Sequence, residues 1–264
     1  MSNNSHLLEV HNLSKSFGGL IAVNNISFKL KNDEIIGLIG PNGAGKSTFL
    51  KLILGFLKPD SGKIYFKNKK INGLKTWDIV NSGIAGTFQN MRPFRALPVI
   101  ANVMVSCLSP RVKKRGEWGK KIKSKAYDAL EFVGISDMAY EKASVLSQGE
   151  LKRLEVARAL ATEPELLLLD EPFGGLSPTE TELMAKSIKI LHKGGQFGRL
   201  HSEGCAMIII EHKLQQLVKI VDRIIVFDYG SLIADGSPEQ VMTNRNVIES
   251  YLGKKGDQSV TRSI

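Results

Sequence analysis

A chain of 264 residues, 42% of them hydrophobic, can fill the core of one large α/β domain or two small ones, which excludes disorder except at the ends. Its two cysteines, Cys107 and Cys205, lie far apart with no His or Cys at metal spacing, which excludes a disulfide framework and a zinc site and fits ordinary buried thiols in a reducing compartment. A formal charge of +10 calls for an acidic partner, be it nucleic acid, an anionic membrane surface or a phosphate-rich ligand.

The first residues, MSNNSHLLEV, lack the basic-then-apolar pattern of a signal peptide, and no apolar run approaches the roughly 18 residues that cross a bilayer. A cytosolic chain is expected. LLEVHNL and NNISFKL, within residues 8–30, are β-prone pieces separated by a Gly-Gly turn, and EIIGLI (34–39) is the continuous apolar run of a buried parallel strand. Next comes Gly40-Pro41-Asn42-Gly43-Ala44-Gly45-Lys46-Ser47-Thr48, a full match to G-x-x-x-x-G-K-[ST], and then STFLKLILGFL with apolar residues at helical spacing. Strand, glycine-rich turn and helix are the order that a phosphate cradle requires. The glycines let successive amides turn inward, Lys46 supplies a point charge to the β and γ groups, and the Ser47 hydroxyl is placed for Mg²⁺.

PDSG then turns the chain into the strand KIYFKN, and Gln89, in IAGTFQN after another short β-prone piece, is a candidate to reach Mg²⁺ or water. Between about 92 and 165 the pattern becomes helical and basic, which predicts an inserted helical lobe. Its densest charge, RVKKRGEWGKKIKSK from Arg111 to Lys125, has one acid among eight bases and reads as a solvated loop and helix face. Trp118 and Tyr127 are too sparse to form a base-stacking platform. Ser147-Gln148-Gly149-Glu150 has the spacing of a capping box ahead of the helix LKRLEVARAL, so Ser147 either only caps that helix or also binds something.

LLLLD (166–170) and AMIII (206–210) are further buried-strand candidates, separated by a helix from about Pro178 to Lys193 and the Gly-rich segment GGQFGRLHSEG. Magnesium needs a carboxylate at the strand edge, which Asp170 supplies, while the adjacent Glu171 points differently and can polarise a water toward the γ-phosphate. Taken alone, an Asp-Glu pair here would more often cap a helix; the phosphate loop in the same chain reverses that reading. His212 follows AMIII and is either a partner of the γ-phosphate or its water, or a structural histidine. VDRIIVFD and SLIADG form a terminal hairpin about a Tyr-Gly turn, followed by a short helix and a polar tail.

These motifs in this order resemble the nucleotide-binding subunit of ABC transporters over roughly residues 7–253: the P-loop at 40–48, a glutamine loop at Gln89, LSQGE at 146–150, LLLLDEP at 166–172, and His212. The resemblance implies an α/β P-loop NTPase core with a parallel sheet, an N-terminal antiparallel β part and an inserted helical subdomain. It treats 7–253 as one domain, with flexible tails at 1–6 and 254–264. It implies ATP and Mg²⁺ as ligands, with Ser47, Gln89 and Asp170 toward the metal and Glu171 and His212 in catalysis. It puts Phe17 against adenine with Val23 packed beside it, and Ser147, Gln148 and Gly149 against an ATP held by a second ATPase subunit, identical or paralogous. The expected partners are transmembrane permease subunits and, indirectly, a substrate-binding protein, with the chain peripheral on the cytoplasmic face of the membrane.

Gln148 and Glu150 stand where the family usually has glycine and glutamine, Ser177 where it has aspartate, and the piece from Gly194 to Gly204 is longer than the usual connection. GTFQNMRPFRALPVIANVM, IIIEHKLQQLVKIVDRIIVFDYGSLIADGSPEQV and VIESYLG look most like the branched-chain amino-acid importer ATPases, with urea-importing and lipopolysaccharide-exporting relatives close by. A soluble ABC ATPase of iron-sulfur assembly is the competing class. A nucleic-acid ATPase is disfavoured by the absence of a second nucleotide domain, long heptads or a stacking surface.

Overall fold

A computed structural model describes residues 6–88, 93–113, 119–197, 200–202 and 204–252. They pack as two compact units, one drawn from the chain up to Leu74 and again from Ile208 onward, the other from Lys75–Met207.

The first unit opens with β1 (Leu8–Phe17) and β2 (Leu20–Leu30), antiparallel across the Gly18-Gly19 turn, where Gly18 takes φ +58°. Along β2 the residues Ile26, Phe28 and Leu30 are buried and alternate with exposed polar neighbours, which gives the ribbon one apolar face. The five residues of β3 (Ile35–Ile39) are all buried, as suits a strand covered on both sides. A glycine at its centre is explained by Leu217, whose Cδ2 would lie 3.0 Å from a Cβ at Gly37. After the phosphate loop, α1 (Lys46–Ile53) inserts Phe49 between Phe28 and Phe227, with ring centroids 5.5 and 5.3 Å away. Removing such a side chain costs about 3–5 kcal/mol, so this aromatic cluster anchors the helix that carries the loop. Strands β4 (Ser61–Phe66) and β5 (Lys69–Lys70) complete a sheet of order β2-β1-β4-β5.

In the second unit, α2 (Thr76–Ser82) leads into β6 (Ile84–Gly86), and the helical lobe follows as α3 (Val99–Cys107), α4 (Lys120–Phe132) and α5 (Gln148–Leu160). Asn102, fully buried on α3, ties down the segment before it by accepting from the Phe94 amide at 2.7 Å and donating to the Phe94 and Pro98 carbonyls. The basic run is exposed as expected at Lys120, Lys121 and Lys123 and departs from a solvated face at two other residues. Arg111 pairs with Glu165 at 2.8 Å, and Lys125, buried, donates to the Val112 carbonyl. Part of the positive charge is therefore spent inside the lobe, on acids that the run's own sequence does not contain.

Strand β7 (Leu166–Asp170) runs parallel to β6, and α6 (Pro178–Lys193) follows. The Gly-rich segment, expected as a plain connection, contains an antiparallel ribbon of β8 (Gly195–Phe197) and β9 (Leu200–Ser202). Cys107 and Cys205 are both buried, and burial pushes the Cys205 thiol well above its ordinary range.

The chain re-enters the first unit along β10 (Ala206–Ile210) and continues through α7 (Leu214–Leu217), β11 (Arg223–Asp228), β12 (Ser231–Gly236), α8 (Pro238–Met242) and α9 (Arg245–Leu252). Strand β11 is parallel to β3 and antiparallel to β12, which realises the terminal hairpin, and β10 is the other neighbour of β3.

Three helices close their own N-termini with a serine capping box: Ser147 with Glu150 on α5, Ser177 with Glu180 on α6 and Ser237 with Gln240 on α8. Only the first was read from the sequence, although SPTE and SPEQ carry the same signal with proline at the first helical position. The cap accounts locally for serine in place of aspartate at 177, because either side chain accepts an amide hydrogen bond at an N-cap. Ser177→Asp should therefore leave stability within about 0.5 kcal/mol. Ser177→Ala should lose about 1 kcal/mol, read as a shift in urea midpoint at constant slope.

Candidate functional site

The phosphate loop is shaped by what its glycines must avoid. At Gly40 (φ +149°) a Cβ would lie 2.1 Å from the Phe227 carbonyl oxygen, and at Gly45 (φ +96°) 2.0 Å from that of Ala22. Neither position accepts a side chain. Gly43 (φ +81°) has nothing within 4 Å and needs glycine for its backbone angle alone. The Ala44 carbonyl accepts from the Gly230 amide at 3.2 Å, and the Gly230 carbonyl accepts from Asn24 at 2.7 Å, so the β11–β12 turn braces the loop against β2.

Lys46 is buried, and its Nζ donates to the Gly40 and Pro41 carbonyls at 2.7 and 2.9 Å. The ammonium is thereby held on the loop at the start of α1. That helix has no side-chain cap and no acid in its first turn, whereas α5, α6 and α8 satisfy their own ends with serine. An uncapped N-terminus with its dipole and a fixed ammonium fits a polyphosphate. Asn42 and Gly43 are exposed, and Ser47 and Thr48 half-buried, at this end of the unit.

Phe17 closes β1 opposite Leu20 and is 47% exposed, with the Lys15 amine 5.5 Å from its ring centroid. It is available to stack and is not a core residue. Val23, by contrast, is fully buried beneath the ribbon. His212 follows β10, the neighbour of β3, and is exposed. The buried carboxylate of Glu211 accepts from the His212 amide at 3.1 Å and so shapes the turn that presents the ring.

The second unit gathers the other residues around the end of β7. Asp170 is buried, and its amide donates to the Thr87 hydroxyl at 3.2 Å. Glu171 follows in the left-handed region at φ +51°, a conformation that costs a non-glycine residue about 1–3 kcal/mol and gathers at functional sites. The loop returns through a Gly174 amide bond to the Glu171 carbonyl, 3.1 Å, and its next residues meet the start of α5. A Cβ on Gly149 would lie 3.0 Å from Leu176 Cδ2, and one on Gly175 3.5 Å from Gln148 Cβ.

Ser147 and Gln148 are exposed at that helix start. Ser147 Oγ accepts from the Glu150 amide at 3.3 Å, and the Ser147 amide donates to Glu150 Oε2 at 2.7 Å. The capping reading therefore holds. It also leaves the hydroxyl proton free to donate, since a hydroxyl carries one donor besides its lone pairs. Gln89 lies outside the described residues. Sequence reasoning missed Thr87 and Glu211, whose roles depend on a partner strand and a turn, and Lys152, which is taken up below. It also treated LSQGE and LLLLDE as separate motifs, where the fold brings them together.

Comparison with known proteins follows the same motifs. The family described as ABC transporter matches residues 23–174, and the one described as Branched-chain amino acid ATP-binding cassette transporter matches residues 231–257. The high-affinity branched-chain amino acid transport ATP-binding protein LivG of Escherichia coli K12 is 38% identical over 260 residues, covering 94% of this chain and 98% of its own. A nucleotide-free ATP-binding cassette from an ABC transporter superposes with a TM-score of 0.81 at 30% identity, covering 95% of this chain and all of that one. The dimeric MJ0796 bacterial transporter cassette superposes at 0.76 with 25% identity, over 88% and 98% of the two chains.

The glycine geometry makes a ligand-independent test. Gly45→Ala meets both a carbonyl and a forbidden angle and should cost at least about 3 kcal/mol of unfolding free energy. Gly43→Ala meets only the angle and should cost about 1–2 kcal/mol. Equal losses in urea unfolding would remove the steric role of the Ala22 carbonyl.

Proposed function

The chain belongs to the ABC transporter ATP-binding family, and from that premise we propose that it powers import of branched-chain amino acids, hydrolysing ATP beneath a pair of permease subunits. The observation that carries the reading is the braced loop at Gly40–Thr48, with an uncapped α1 and an ammonium already fixed on its carbonyls. The match at residues 231–257 and the whole-length similarity to LivG support the cargo class. Residues 7–253 act as one nucleotide-binding domain.

In this reading the amides of the loop and Lys46 take the β- and γ-phosphates, and the Phe17 ring covers the adenine. Ser47 and Asp170 would hold Mg²⁺, which when bound would supply positive charge against the negative charge that develops on phosphoryl transfer. A hydroxyl and one carboxylate suit an ion that keeps water and phosphate among its ligands, and among the described residues no cluster of three or more His, Cys, Asp or Glu offers an all-protein cage. Glu171 orients and polarises the attacking water, and His212 holds the γ-phosphate side of it. Two copies, or this chain and a paralogue, close head to tail, so that Ser147 and Gly149 of one meet the γ-phosphate bound by the other. The chain sits on the cytoplasmic face of the membrane, with a substrate-binding protein serving the permease from the far side. Among the described residues no helix is long and apolar enough to cross a membrane.

Co-expressed with its two permeases, the chain should co-purify in detergent and hydrolyse ATP faster than alone. Recovery with a soluble scaffold and no permease would overturn the transport reading. Glu171→Gln should keep ATP affinity, lower kcat at least about 100-fold and accumulate an ATP-bound dimer on gel filtration. Ser147→Arg should abolish turnover while ATP binding by the separated subunit stays within about twofold, a difference under 0.5 kcal/mol. Chelation with EDTA should stop hydrolysis, and added Mg²⁺ should restore it.

A further inference from the structure

Lys152 lies on α5, and 8% of its surface is exposed. Its Nζ donates to the Asp170 carbonyl at 3.2 Å. Among the described residues that is its one hydrogen bond, and no carboxylate lies within ion-pair distance. An ammonium has three protons to place, and burial without a counter-charge is costly, so the residue's presence needs a reason other than stability. Its neighbour Arg153, in contrast, is bonded to Glu180 and the Gly134 carbonyl.

The carbonyl that Lys152 holds belongs to the peptide joining Asp170 to Glu171. Fixing that oxygen fixes the peptide plane from which Glu171 departs at φ +51°. Thr87 holds the preceding Asp170 amide, and the Gly174 amide holds the Glu171 carbonyl at 3.1 Å. The stem of Lys152 also fills the space under the return of the loop, with its Cε 3.7 Å from where a Cβ on Gly174 would sit. The backbone on each side of Glu171 is thus pinned, and the pin on the incoming peptide is a buried cation.

We propose that Lys152 is a positioning residue for hydrolysis: by gripping the Asp170 carbonyl it holds Glu171 in the left-handed conformation that aims its carboxylate. The proposal rests on the reading of Glu171 as the group that polarises water. Lys152 touches neither nucleotide nor metal in this account, so its loss should appear in turnover and not in binding.

The test uses the full-length chain assembled with its permeases. Lys152→Met keeps the length and volume of the stem without the donors, and Lys152→Arg keeps a cationic donor. Lys152→Met should lower kcat at least about tenfold with KM for ATP within about twofold, equivalent to about 1.4 kcal/mol in the barrier. Its thermal midpoint should stay at or above that of the parent, and Lys152→Arg should recover most of the rate. A kcat for Lys152→Met within twofold of the parent would overturn the proposal, as would a loss shared equally by KM or matched in the arginine variant. In the Glu171→Gln background, adding Lys152→Met should change the residual rate less than twofold. A further tenfold drop would show that the lysine acts independently of Glu171 and would end its positioning role. Parent-like turnover by Glu171→Gln alone would instead remove the reading of Glu171 on which the proposal stands.

Discussion

The fold depends on clearance at two backbone carbonyls. Those of Ala22 and Phe227 stand about where a Cβ on Gly45 or Gly40 would have to go, at 2.0 and 2.1 Å. The loop can follow β3 so closely only because it has no side chains there, and closeness is what turns its amides toward a common point. The Phe28–Phe49–Phe227 cluster holds α1 behind it, and the Gly230 turn braces it from the side. A loop built this way is shaped before any ligand arrives, since the hydrophobic core fixes the elements that the backbone donors hang from.

Serine at a helix start can do two kinds of work. Ser177 and Ser237 close α6 and α8, and their hydroxyls in turn donate to Glu180 and Glu239. Ser147 makes the same reciprocal bonds with Glu150, yet it is exposed, and the oxygen that accepts an amide keeps a proton to give. Capping and phosphate recognition are therefore not alternatives at this position. The cap orients the hydroxyl, and the positive end of the helix dipole makes the same place favourable for an anion. Glu150 bears on this directly: its carboxylate is occupied by the Ser147 amide, which limits how far it can repel an incoming phosphate.

Local signals carried most of the fold into the sequence. EIIGLI, LLLLD and AMIII were legible as buried strands because uninterrupted apolar runs between turn residues have few other homes, and the P-loop was legible because its glycines, lysine and serine occupy fixed chemical roles. What stayed hidden depends on partners distant in the chain. Arg111 and Lys125 read as solvated because their partners, Glu165, Glu163 and the Val112 carbonyl, lie outside the local charge pattern or in the backbone. The ribbon at 195–202 escaped because glycines advertise a turn and say nothing of the strands beside it. Val23 is buried although it lies out of phase with Ile26, Phe28 and Leu30, because β2 is irregular between them, with a register shift against Leu13–Lys15 and Asn25 in the left-handed region. The meeting of α5 with the loop after β7 could not be read at all, because side-chain spacing along a helix does not reveal which loop will pack against its first turn.

That meeting place combines two local costs beside the acidic pair at the end of β7. The starts of α6 and α8 carry serine capping boxes, whereas α1, α2, α3 and α4 have no side-chain cap, and the buried polar Asn102 has its partners. Around residues 170–177 one glutamate is left-handed, at about 1–3 kcal/mol, and one buried ammonium has, among the described residues, a single carbonyl for its three protons. A hydrophobic isostere at 152 would relieve the second of these costs without disturbing the packing. Stability alone would be better served by that change, which leaves the proposed placement of Glu171 as the reason for a cation there. The same helix presents Ser147 and Gly149 one turn earlier, so in the proposed reading a single element carries both the end that meets a partner's phosphate and the lysine that sets this chain's own glutamate.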